Sequence, residues 1–134
     1  MKAILKAFRD ALVADAGLTA LVPAANIYAG VRDEKTPIPC IDVFTVSNAA
    51  VRMQGGKVGG ENMATMDVQV SVFAKTEDGA QDISDSIMDM LLGDNSTLNT
   101  AGVRNVALDS NRSILESGVC HIPMRFSCNY LFTV

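Results

Sequence analysis

Two stretches of apolar/polar alternation constrain this chain more than anything else in it. In Met63–Lys75 (MATMDVQVSVFAK), Met66, Val68, Val70 and Val72 fall on one face, with Thr65, Asp67, Gln69 and Ser71 on the other. A period of two marks a half-buried strand. Gly118–Thr133 repeats the pattern, setting Cys120, Ile122, Met124, Phe126, Cys128, Tyr130 and Phe132 against His121, Arg125, Ser127, Asn129 and Thr133. At about 3.3 Å per residue, straight strands of these lengths reach roughly 40 Å and 50 Å. A globular chain of 134 residues has an expected radius of gyration of about 14 Å, hence a diameter of about 36 Å. The strands therefore bend sharply or their ends project, and projecting strands need another chain to cover them. The pattern points to a part of an assembly rather than a self-contained enzyme.

The remaining segments supply the other layer. Ile4, Leu5, Phe8, Leu12 and Val13 recur at helical spacing, with Lys2, Lys6, Arg9 and Asp10 opposite. Asp15 is placed to cap a short helix over Ala16–Val22, which Pro23 stops. Asn26–Gly30 reads as a brief extended piece, and Val31–Pro39 as a loop held irregular by Pro37 and Pro39. Cys40–Val46 is strand-like and continues unevenly to Met53. A second helix opens at Thr76–Asp78, with Asp78 and Gln81 spaced as a capping pair. Ala80, Ile83, Ile87, Met90 and Leu91 form its core face, and Gly93 ends it. Asp94–Ala101 reads as a polar turn, followed by strands at Gly102–Leu108 and Arg112–Glu116. These periods predict one α+β domain over residues 1–134: a mainly antiparallel sheet, two principal helices packed on one face, and a projecting glycine-rich hairpin.

That hairpin tip is Gln54-Gly55-Gly56-Lys57-Val58-Gly59-Gly60-Glu61, with four glycines among eight residues. It lacks the Lys-Ser/Thr of a phosphate loop and leads into a strand, so no helix dipole meets an anion there. It reads either as a plain hairpin tip or as one ordered against a neighbouring chain. Asp78, Asp82, Asp85 and Asp89 share one helix stripe, which is a solvated acidic outer face or a docking surface for a basic partner. His121, the only histidine, has no partner signalled by spacing and reads as an exposed or interface residue.

Composition narrows the function classes. A formal charge of −4 with scattered basic residues argues against a general nucleic-acid binder, which needs clustered Lys and Arg. Cys40, Cys120 and Cys128 show no metal-ligand or CxxC spacing. Each sits in an apolar strand pattern and is expected to be a buried free thiol. Their odd number, with no secretory signal, suggests assembly in a reducing compartment. No membrane span, metal cluster, cofactor motif or catalytic fingerprint is visible, so neither a cofactor nor an enzymatic activity is expected.

In order and style of elements the chain resembles the tail terminator family of tailed bacteriophages, also called tail completion or tail-to-head joining proteins. The likeness is carried by Ala14–Val22 followed by Ile27-Tyr28-Ala29-Gly30, by Pro37–Val43, and by Val68–Ala74 leading into Ala80–Leu92. Leu108-Asp109-Ser110 and the closing Cys120–Phe132 strand complete it, so it runs essentially the full length. The resemblance implies a structural virion protein that assembles in the host cytoplasm into a ring, typically of six copies. Such a ring caps the head-proximal end of the tail tube, stops tube polymerisation and offers the head's connector a surface. Its implied partners are sister copies, the tail tube protein and the connector or neck protein, with genomic DNA only passing through and no membrane involved. By analogy with tube proteins, whose strands line the bore, Asp67, Gln69 and Ser71 are expected to line the channel, and Gln54–Glu61 to contact partners. A head-side neck or connector protein fits the same pattern. From a different class, so does a small-molecule-binding α+β regulatory domain.

Overall fold

A computed structural model describes residues 2–30, 37–46, 52–53, 62–93, 95–116 and 118–132. Its elements run α1 (Lys2–Ala14), α2 (Ala16–Thr19), a 3-10 turn (Ala24–Asn26), β1 (Ile27–Ala29), β2 (Cys40–Thr45), β3 (Arg52–Met53) and β4 (Asn62–Ala74). They continue as α3 (Glu77–Leu92), α4 (Ser96–Thr100), β5 (Val103–Ser110), β6 (Ile114–Glu116) and β7 (Val119–Phe132). The seven strands form one sheet in the order β1-β2-β4-β7-β5, with β3 also on β4 and β6 also on β7. Every pairing is antiparallel except β1 with β2. The expected α+β architecture is what forms.

The two long alternating stretches are the spine of this sheet. β4 and β7 pair with each other from Asn62↔Phe132 to Ala74↔Cys120, the whole 13-residue length of β4. Each long strand is then flanked by two short strands placed end to end. β2 and β3 lie along β4, and β5 and β6 lie along β7. The long strands thus have their lateral edges covered within the chain, a different solution from covering by a neighbour. Among the described residues, the outermost strands are β1 and β3 on one side and β5 and β6 on the other.

The apolar half of each alternation faces the helices. Met66, Val68, Val70 and Val72 are buried together with Cys120, Ile122, Met124, Phe126 and Cys128. α1 delivers Ile4, Phe8 and Leu12 to this core, and α3 delivers Ala80, Ile83, Ile87 and Leu91. Met90, expected on the core face of α3, is only partly buried and packs at its margin.

Local chemistry corrects several sequence expectations. α2 stops at Thr19, inside the expected Ala16–Val22, with Asp15 accepting a hydrogen bond from the Gly17 amide. α3 is not capped by Asp78 and Gln81. Thr76 is its N-cap, with extended backbone (φ −125°, ψ 154°) and its hydroxyl accepting from the Gly79 amide at 3.1 Å. Gln81 instead donates to Ser113 Oγ at 2.9 Å. The polar turn expected over Asp94–Ala101 holds α4, where Asn95 Oδ1 accepts from the Leu98 amide at 3.1 Å and Leu98 is buried.

Candidate functional site

The sheet face turned away from the helices carries the polar half of both alternations, and its side chains bond to one another across the strands. Thr65 and Asn129 are directly opposed, and the Thr65 hydroxyl donates to Asn129 Oδ1 at 3.0 Å. Asp67 lies opposite Ser127 and Gln69 opposite Arg125, so Asp67 and Arg125 are diagonal neighbours. A long side chain spans that diagonal, and Arg125 Nη2 reaches Asp67 Oδ2 at 2.9 Å. With side-chain exposures of 44% and 23%, this ion pair contributes less than about 1 kcal/mol. Its larger effect is to leave that part of the face without net charge. Gln69 donates to Ser71 Oγ at 2.8 Å, and Ser127 Oγ to Asp109 Oδ1 at 3.4 Å.

Of the residues expected along a channel, Asp67 and Gln69 are half-buried on this face. Ser71 sits in the same row but is 1% exposed, beside Asp42 of β2, which is 2% exposed. Toward the other end of the face, Phe73 lies opposite His121 and their rings stack, with centroids 4.3 Å apart and planes within 9°. The lone histidine is thus held as a packed ring on the polar face. Between β7 and the end of β5 a hollow of about 340 Å³ is lined by Gln69, Ser110, Asn111, Arg112, Pro123 and Arg125.

On the opposite layer, Asp78, Asp82, Asp85 and Asp89 are all exposed along α3. The Gln54–Glu61 segment expected to contact partners lies outside the described residues, between β3 and β4, which pair antiparallel through Arg52↔Thr65 and Met53↔Ala64. A second concave region has an apolar floor of Leu21, Ile38, Pro39, Ala74 and Ile83. It is rimmed by Lys75, Thr76, Gly79 and Asp82 and encloses about 290 Å³. Sequence reading missed it because its floor comes from four separate segments, each contributing one or two residues.

The three cysteines are buried and form no disulfide among the described residues. Burial pushes the Cys128 thiol up to about 12, with the Asp67 carboxylate adding to the rise. Burial likewise raises Cys120, and Glu77 adds to it. Such thiols are protonated and unreactive at neutral pH. Among the described residues, no three His, Cys, Asp or Glu side chains gather as a metal site, and no helix is long and apolar enough to cross a membrane.

Comparison with known proteins places this geometry. The family model of tail completion protein gp17 matches residues 6–128. A chain in the virion of a native gene transfer agent particle has a similar fold, with a TM-score of 0.64 and 18% identity, covering 96% of this chain and 94% of that one. No curated protein matches the chain by sequence.

Proposed function

The chain belongs to the tail completion protein gp17 family, structural proteins of phage virions, and from that premise we propose that it forms a ring seated on the head-proximal end of a tail tube. The ring ends tube polymerisation and gives the head's connector a surface on which to join. Six copies are the number the family resemblance favours. The family match across residues 6–128 carries the reading, and the two unlike faces of the sheet support its orientation.

In this arrangement the polar face looks into the bore and the helix layer looks out. Asp67 and Gln69 present the lining, while buried Ser71 holds Gln69 in place from within the strand. The Asp67 carboxylate offsets the Arg125 charge on this face, which weakens its grip on passing DNA. Six copies at −4 each carry −24, a field that discourages DNA from adhering to the ring. The acidic stripe Asp78–Asp82–Asp85–Asp89 lies on the outside, and Gln54–Glu61 reaches toward partners.

Deleting the gene should give overlong or headless tails, seen directly in micrographs of negatively stained lysates. Normal, infectious particles without the protein would reject the reading. Orientation is tested by thiol labelling of assembled tails carrying Asp67→Cys or Asp85→Cys. A bulky maleimide should reach the Asp85 position and be excluded from the Asp67 position; labelling at Asp67 with exclusion at Asp85 would reverse the assignment of the faces. A particle in which antibody gold marks the head side of the joint, with tails of normal length in its absence, would favour the neck protein instead.

A further inference from the structure

The polar face has one place where strand pairing lapses. β5 leaves β7 at Ser110↔Arg125, and β6 joins it at Ile114↔His121. Both strands advance by four residues between those pairs, so the register is unbroken and would set Arg112 opposite Pro123. Residues 111–113 nevertheless form no strand. Proline has no amide hydrogen to give a ladder, and it is tolerated in a sheet where no such bond is needed. The lapse opens the hollow of about 340 Å³ between Gln69, Ser110, Asn111, Arg112, Pro123 and Arg125.

This register also brings two guanidinium groups to one cavity. Gln69, Arg125 and Ser110 form a single cross-strand row. Arg112 stands opposite Pro123, two residues along β7 from Arg125 and about 7 Å away. No carboxylate lines the hollow. Asp67 stands outside the lining and holds Arg125, and Asp109 is bonded to Ser127. Arg112 is exposed and, among the described residues, is in no ion pair. Its positive charge is therefore the uncompensated one on a face otherwise paired off. Two like charges facing one cavity repel, and an anion between them removes that repulsion. The planar fork of arginine matches the oxygens of a phosphate, and the Ser110 hydroxyl adds a neutral donor at the wall.

The proposed placement of the polar face in the bore decides which phosphate reaches this hollow. Gln69, one of the residues assigned to the lining, is also part of its wall. The polyanion that crosses such a bore is DNA. We infer that the Arg112–Arg125 hollow takes a backbone phosphate of the duplex moving through the ring, one contact per copy and without regard to sequence. The inference rests on the bore-facing reading above and names the group there that meets the passing duplex. A single contact on a chain of charge −4, with Asp67 restraining one of its two arginines, is weak and sensitive to salt. It touches DNA without stopping it.

The test adds full-length protein to a short fluorescein-labelled duplex of mixed sequence at low salt and follows anisotropy. Arg112→Gln should weaken binding severalfold and reduce the slope of log affinity against log salt by about 1. Its melting temperature should match the parent's, because the side chain is exposed. Asp67→Asn, which releases Arg125 from its ion pair, should tighten binding. Lys6→Gln removes the same unit of charge from α1, where the side chain is 74% exposed, and should bind as the parent does. A parent chain that ignores the duplex, or an Arg112→Gln chain that binds it equally well, would overturn the inference. So would an equal loss in Lys6→Gln, which would assign the effect to net charge. If inorganic phosphate, at ionic strength matched with chloride, shifts the Arg112 and Arg125 Nε–H resonances while the duplex does not bind, the hollow is a free-anion site and the DNA assignment falls. Each of these failures leaves the ring reading standing. Normal tails after gene deletion would instead remove the ring and its bore, and the phosphate contact measured on the isolated chain would remain.

Discussion

At the residue scale, the polar face is made quiet rather than reactive. Several alternate positions on β4 and β7 find a partner one strand away: Thr65 with Asn129, Asp67 with Arg125, Phe73 with His121. A surface so satisfied offers few unpaired groups to a passing ligand, which suits a lining better than a catalytic site. Cys128 is bound into the same logic from the other side of the strand. The native thiol keeps its proton up to about pH 12, whereas the unfolded thiol gives it up near its ordinary 9.0. Between those values the unfolded state binds fewer protons, so stability falls as pH rises. Below 9.0 this contribution is fully present. Denaturant melts from pH 8 to pH 11 should show that decline, and Cys128→Ala should flatten it. Iodoacetamide at pH 8 should leave the native thiol unmodified and alkylate the unfolded one, so rapid alkylation of the folded protein would contradict the burial.

At the element scale, what was legible in the sequence is what a period can encode. The alternation in β4 and β7 named both faces correctly because each buried residue repeats the message of its neighbour. Ala80, Ile83, Ile87 and Leu91 did the same for α3 at helical spacing. Single-turn features carry no such redundancy. α4 spans only Ser96–Thr100 with one buried residue, Leu98, so its polar composition reads as a turn. The parallel pairing of β1 with β2 is a matter of chain direction that residue types do not state. The shifted register of β5, between Arg104 and Ala107 and with Asn105 at φ 55°, leaves only an asparagine as its trace. The start of α3 read as an Asp78–Gln81 capping pair, whereas the backbone places the N-cap two residues earlier, at Thr76. Thr76→Ala should therefore destabilise the fold by about 1 kcal/mol. Asp78→Ala and Gln81→Ala should each cost less, as urea melts of the three variants would reveal. Equal losses for Thr76→Ala and Asp78→Ala would return the cap to the sequence-based pair.

At the scale of the whole molecule, a chain that covers its own longest strands must associate by something other than those strands if it forms the proposed ring. Its free edges are managed: β1 is three residues long, with the Ile27 carbonyl held by Arg9 at 3.0 Å. β5 is interrupted by register shifts, and Arg104 takes the Asn99 and Val103 carbonyls at 2.6 Å and 3.0 Å. Short and irregular edges discourage open-ended strand addition, which suits the proposed role at the end of a tube. In the proposed ring, apolar burial between copies would work against the mutual repulsion of copies that each carry −4. These two forces respond oppositely to salt. The Debye length shrinks from about 30 Å at 0.01 M to about 8 Å at 0.15 M, which removes most of the repulsion between neighbouring copies. Apolar burial is not weakened by screening, and an exposed ion pair supplies less than about 1 kcal/mol to lose. Ring formation followed by mass photometry should therefore strengthen across that range of sodium chloride. Rings that dissociate as salt rises would mean that ion pairs, rather than apolar burial, hold the copies together.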